Sequence, residues 1–385
     1  MTRYFFVCLI ATLCTGAAFP QVANVYVSTD KNIYAYDASS SGKLTQIKGS
    51  PFAAAVYPEI STMAVNGKYL FAIDGTNFSS VDSYLMESNG ALKKVATKTL
   101  APRALGFPLA YLFLDHTGAT LYAGVYINDN VYPQNQSFNI EKGTGELNYT
   151  GQILGTPFQL TVSGNNRFAY GALCDFAPQF DGSLSQFGGQ GRGISLLGFE
   201  RLSDGVMIQG KGGPFPEPMP GDGFCPYSSI AAADPTNHVA FAFGYEIYTT
   251  STYPPMQLAA YTIDGEGKLT TANTYKNMPT VAVGWVSNLK MAPSGKLLAV
   301  GGSDGLQVFH FNGASPITHF TGLLASGVFN QFRWDNNNHL YAINSTDGKL
   351  YVFTVTPESA VQEPGSPYTI PDGGAGSLIV QPIPR

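Results

Sequence analysis

Few side chains in this chain pair a reactive type with a meaningful position. The strongest pair is Lys290 and Arg333. Each lies at the same place in a short apolar segment, Asn288–Pro293 (NLKMAP) and Gln331–Asn336 (QFRWDN), just before a turn. A cation on an apolar strand is costly unless it is paired or faces water. Two of them at matching positions point to a site for an anion or a carboxylate, or for the oxyanion of a hydrolysis. The plainer alternative is two cations satisfied by channel water and carbonyls. Glu59 enters an equivalent segment near its start and is the candidate general base. Its alternative is a solvated charge at a strand end.

Other chemistries find less support. The chain has no His-Glu-x-x-His or Cys-x-x-Cys pattern, so neither a metal nor a cofactor is expected. No nucleophile elbow is expected either. Asp175, Asp181, Asp222 and Glu246 could offer oxygen ligands to calcium, although scattered loop carboxylates usually face solvent. His116, His238, His310, His319 and His339 are expected to be surface or packing residues.

What must position Lys290 and Arg333 is a repeat. A turn carrying Gly, Asn or Asp is followed by a small apolar strand, in seven copies. They are Ala23–Ser28, Gly67–Ile73, Gly118–Gly124, Asn166–Gly171, Asn237–Phe243, Gly295–Gly301 and Asn338–Ile343. Aligned on Tyr26, Phe71, Tyr122, Ala169, Ala240, Ala299 and Tyr341, the steps are 45, 51, 47, 71, 59 and 42 residues. A period of roughly 40–50 residues with several strands per unit is the pattern of a β-propeller blade. The strand preceding each copy supplies one equivalent position: Ala64, Phe113, Thr161, Ala232, Lys290, Arg333 and Ile379. After each copy come a period-2 strand, a Gly-centred turn and a fourth strand, as in Ile33–Ile47 and Leu258–Ala272. Ser377–Gln381 reads as a first strand lacking its second, and Ala23–Ser28 as a second lacking its first. The expected fold is therefore all-β. It is a seven-bladed β-propeller of four-stranded antiparallel blades, closed by the C-terminal strand joining the N-terminal blade.

Composition agrees. Of the 385 residues, only 12% are charged and 13% are aromatic, with 43 Gly and 25 Pro, which suits short strands and tight turns. The net charge of −5, without a Lys/Arg run, excludes a nucleic-acid groove. Residues 1–18 have a positive start, an apolar run and small residues, the pattern of an export signal, with cleavage as late as residue 23 as a second option. That run is too short to cross a bilayer. An exported monomer with one domain over residues 24–385 is expected. Its two remaining cysteines, Cys174 and Cys225, would form one disulfide, or else stay as two buried thiols.

Insertions interrupt the repeat near residues 127–136, 174–192, 211–228 and 246–256. Up-and-down connectivity brings them to one rim, over blades three to five. Tyr126, Phe176, Phe224, Tyr227 and Tyr245 fall in or beside them. Such aromatics suit a carbohydrate or protein ligand, or simply order the loops.

The tetrapeptide Gly-Ser/Thr/Gly-Pro-Phe/Tyr closes several units, at Gly49–Phe52, Gly155–Phe158, Gly212–Phe215 and Gly365–Tyr368. With Val25–Ala54 (VYVSTDKNIYAYDASSSGKLTQIKGSPFAA), it resembles the lactonase-type seven-bladed propellers, the group that includes the propeller 6-phosphogluconolactonases. The resemblance spans nearly all of the chain after residue 23. It implies a hydrolase acting on a small lactone or sugar-derived substrate; the catalytic candidates Lys290, Arg333 and Glu59 come from their strand positions and not from the resemblance. The shared motifs are turns and strands, so a second expectation stands beside it. This is a non-catalytic exported propeller that binds a carbohydrate or protein through its aromatic rim.

Overall fold

The computed structural model describes residues 20–56, 61–76, 79–100, 109–127, 132–154, 160–174, 194–210, 231–244, 254–372 and 374–383. Seven antiparallel sheets of four principal strands each are arranged in a ring, a seven-bladed β-propeller. From blade one to blade seven, the strands lining the central channel are Leu378–Pro382, Met63–Val65, Leu109–Leu114, Thr161–Val162, Ala231–Ala233, Val286–Met291 and Phe329–Trp334. The C-terminal strand pairs with Gln21–Ser28, Tyr26 lying opposite Ile379, and closes the ring as expected.

The second strand of each blade is largely apolar because both of its faces are covered. The core is seven hydrophobic clusters, each straddling one blade–blade interface. Val25 and Val27 face blade seven, whereas Tyr26 between them faces blade two. The outermost strands keep only partial contact, so no residue of Leu92–Thr99 is fully buried.

Register corrects one alignment. The inner positions pair with Tyr26, Phe71, Tyr122, Ala240, Ala299 and Tyr341 in six blades. In blade four, however, Thr161 lies opposite Tyr170, not Ala169. Tyr170 packs toward blade five and Ala169 toward blade three, so Tyr170 is the equivalent residue.

The glycine of the turn between third and fourth strands has a role that the repeat alone does not reveal. Tyr26, Tyr122 and Tyr170 each donate their hydroxyl to the carbonyl of such a glycine in the next blade: Gly90 (2.9 Å), Gly205 (2.7 Å) and Gly267 (2.9 Å). Each of these glycines has positive φ, and a Cβ on Gly267 would lie 2.6 Å from the Phe168 ring. Gly267→Ala therefore meets both a backbone penalty and a clash. We expect a loss of about 2–3 kcal/mol, seen as a lower urea midpoint at unchanged slope.

The tetrapeptide is also scaffold. In blades one and seven its serine accepts a backbone N–H from the third strand, Ala35 N to Ser50 Oγ (2.9 Å) and Val352 N to Ser366 Oγ (2.8 Å). The copies at Gly155–Phe158 and Gly212–Phe215 lie outside the described residues. Of the stretch 127–136, residues 132–136 belong to a strand, with Ile127 paired to Tyr132.

Blades three and four are tied by a buried ion pair. Arg201 Nη2 lies 2.6 Å from Asp115 Oδ2, and the Asp115 side chain is fully enclosed. Arg201 Nη2 also donates to Thr120 Oγ1 (3.0 Å), and its Nε donates to the Tyr122 hydroxyl (3.1 Å). The equivalent carboxylates in blades five and seven bond histidines, Asp234 to His238 (2.9 Å) and Asp335 to His339 (2.7 Å). His339 is buried and closes the turn that begins at Asp335.

Candidate functional site

Lys290 and Arg333 come together in the channel. With Ala64, Phe113 and Ile379 from the same ring of positions, they line a cavity of about 260 Å³. The walls are otherwise mainly apolar, and no carboxylate lines the cavity among the described residues. Both cations also line a second cavity of about 440 Å³ on the face of the turns between first and second strands. They thus stand between the two mouths of the channel. Thr161 and Ala232 complete the ring; Thr161 accepts the Ala233 N–H (3.1 Å).

Each cation is enclosed by protein walls yet half-buried, because the lumen reaches it. Arg333 is held by its own strand and by a neighbour across the channel. It donates from Nη1 to the Phe332 carbonyl (2.9 Å) and from Nη2 to Ser61 Oγ (3.3 Å). Burial pulls its pKa down to about 10, so it remains cationic at neutral pH. Lys290 is held through its backbone, whose carbonyl accepts the Trp334 indole N–H (3.0 Å). Its ammonium makes no hydrogen bond or ion pair among the described residues. Burial first, and then the charge of Arg333, hold the Lys290 pKa well below the usual lysine range.

Ser61 is a site residue that sequence reasoning missed. It is buried, with φ of 59°. A non-glycine residue in this left-handed region carries backbone strain. Its carbonyl accepts the Leu112 N–H of blade three (2.8 Å), while its hydroxyl meets Arg333. Nothing in its sequence neighbourhood marks that conformation.

Glu59, Phe176, Phe224, Tyr227, Tyr245 and Cys225 lie outside the described residues, as do Asp175, Asp181, Asp222, Glu246 and the segment 1–18. Tyr126 and Cys174 lie in the second strands Thr120–Ile127 and Phe168–Cys174 of blades three and four; their side chains are outside what is described. Among the described residues no helix is long and apolar enough to cross a membrane. One run, Gly301–Gly305, does have the Gly-x-Ser-x-Gly pattern. It is the turn between two strands of blade six, not a strand-to-helix elbow, and Ser303 donates to Asp304, not to a histidine.

No protein-family model matches the sequence, and no curated protein matches it. Solved structures do resemble it. A proposed 6-phosphogluconolactonase of Bacteroides fragilis superposes with a TM-score of 0.62 at 13% identity, over 94% of this chain and 98% of that one. The periplasmic gluconolactonase of Pseudomonas aeruginosa gives 0.60 at 14%, over 94% and 100%. Hydrazine synthase of Kuenenia stuttgartiensis gives 0.55 at 12%, over 86% and 92%. At such identities the likeness is one of fold, and this chain is a seven-bladed β-propeller whose structural neighbours include lactonase-type propellers.

Proposed function

We propose that the chain is a lactonase-like hydrolase, acting outside the cytoplasm on a small lactone bound in the Lys290–Arg333 cavity. The observation that carries this is two neighbouring cations in a largely apolar cavity with no carboxylate in its described lining. A lactone carbonyl placed against Arg333 gains a fixed positive charge for its developing oxyanion. Lys290, whose pKa is held down by burial and by Arg333, becomes once deprotonated an amine that takes a proton from the attacking water. The new C–O bond forms to water, the ring C–O bond breaks, and the leaving ring oxygen takes the proton back from Lys290. The product is a hydroxy acid whose carboxylate Arg333 binds. The likeness to propellers described as lactonases supports the same reading.

The test is pH-stat hydrolysis of a panel of five- and six-membered lactones by the purified protein. The rate is expected to climb as Lys290 loses its proton, well below pH 10.5, while Arg333 keeps its charge. Lys290→Met removes the rising limb and about 10²–10⁴-fold of the rate. A panel without turnover, or a variant with the parent's profile, overturns the proposal.

One observation favours a second reading, a non-catalytic binder of small carboxylates. Among the described residues the wall of the 260 Å³ cavity contains neither a carboxylate nor a histidine, His116 and Asp234 lining only the second cavity. On that reading, calorimetry detects gluconate binding while no lactone is hydrolysed.

A further inference from the structure

The chain has two tryptophans, and they differ sharply. Trp334 is 7% exposed and bonded to the Lys290 carbonyl, whereas Trp285 is 44% exposed. Trp285 sits in a separate groove of about 560 Å³ on the face of the insertions, between blades five and six. Pro254, Pro255, Met256, Ser303 and Asp304 also line the groove. Trp285 donates its backbone N–H to Ser303 Oγ (3.0 Å), which donates to Asp304 Oδ1 (2.8 Å). Gly284, at φ of 68°, lets the carboxylate lie close, since a Cβ there would be 2.6 Å from Asp304 Oδ2.

These features select a ligand chemistry. A large, partly exposed indole presents a flat apolar face to the C–H edges of a sugar ring. A solvent-facing carboxylate and a serine hydroxyl offer hydrogen-bond partners to its hydroxyls. Among the described residues no cation lines the groove, and Asp304 repels acidic ligands. The volume falls within the range of small-ligand sites. We propose that this groove binds a neutral saccharide, stacked on Trp285 and hydrogen-bonded by Asp304.

The groove is distinct from the channel cavity. Trp285 precedes the inner strand Val286–Met291, and Lys290 lies five residues on, roughly 16 Å at the rise of a β-strand. The proposal therefore stands whether or not the channel is hydrolytic.

The two tryptophans provide the experiment. Maltotetraose, cellotetraose, mannotetraose and chitotetraose are titrated into the protein at millimolar concentrations, followed by calorimetry and intrinsic fluorescence. At least one is expected to bind and to shift the emission of the exposed indole. Trp285→Phe keeps binding by calorimetry but loses that emission change, because only the buried Trp334 still reports. Trp285→Ala, and independently the surface change Asp304→Ala, weaken binding about tenfold or more. Gluconate, the probe for the channel, is unaffected by either variant. No heat from any tetrasaccharide, or undiminished binding in both Trp285→Ala and Asp304→Ala, overturns the proposal.

Discussion

Replacing Arg333 by alanine is expected to lower kcat/KM for lactone hydrolysis by about 10²–10³-fold, the loss typical of removing one preorganised oxyanion donor. The guanidinium is the fixed charge of the cavity, positioned by the Phe332 carbonyl and Ser61 Oγ. Arg333→Lys recovers only part of the loss, because an ammonium lacks the planar fork that meets both partners. A second readout separates a catalytic role from simple damage. Arg333 lowers the Lys290 pKa through charge repulsion, so its removal moves the rising limb of the pH–rate profile upward. The direction follows from relief of a like charge, which favours protonated Lys290. Unchanged kcat/KM in Arg333→Ala excludes this arginine from the reaction.

Arg201→Ala carries the largest expected cost in stability, about 3–5 kcal/mol, because it leaves the enclosed Asp115 carboxylate without its counter-charge, though still hydrogen-bonded by Thr117, Ala119 and Thr120. The loss also removes a donor to the Tyr122 hydroxyl, which itself donates to Gly205 in the next blade. Urea denaturation measures it, and hydrogen exchange is expected to rise first along the interface of blades three and four. The pair's attraction is offset by desolvation, so replacing both partners is milder than removing one. Asp115→Asn with Arg201→Met is accordingly expected to lie above Arg201→Ala, since the amide oxygen still accepts the Ala119 and Thr120 N–H groups. A loss of less than about 1 kcal/mol in Arg201→Ala would equate this pair with an ordinary surface pair.

Much of the ring was legible because each second strand is buried on both faces. That burial forces the apolar phrase that recurs seven times. The single slip, Ala169 for Tyr170, arose where the inner strand is only Thr161–Val162 and offers too short a pattern to fix register. The placement of Lys290 and Arg333 was legible because a charge on an inner strand departs from an apolar rule. Ser61 was not, since its left-handed backbone depends on a neighbouring blade. Nor was the tyrosine-to-glycine latch, a contact between units that no single unit encodes. The Asp-x-x-x-His spacing at Asp234/His238 and Asp335/His339 was a signal that could have placed both histidines in their turns.

Closure of the ring also sets a timetable. Ser377 N donates to Ser28 Oγ across 349 residues of chain, and the Leu378–Pro382 strand completes the first blade. During synthesis the first strands therefore wait, with one edge unpaired, while all the other blades are made. Contacts so distant in sequence form late and leave partly built chains prone to sticking edge to edge. A nascent chain halted a few residues before Leu378 would hold almost every blade and still lack its seal. For this molecule the arrival of the Leu378–Pro382 strand is the closing step of folding.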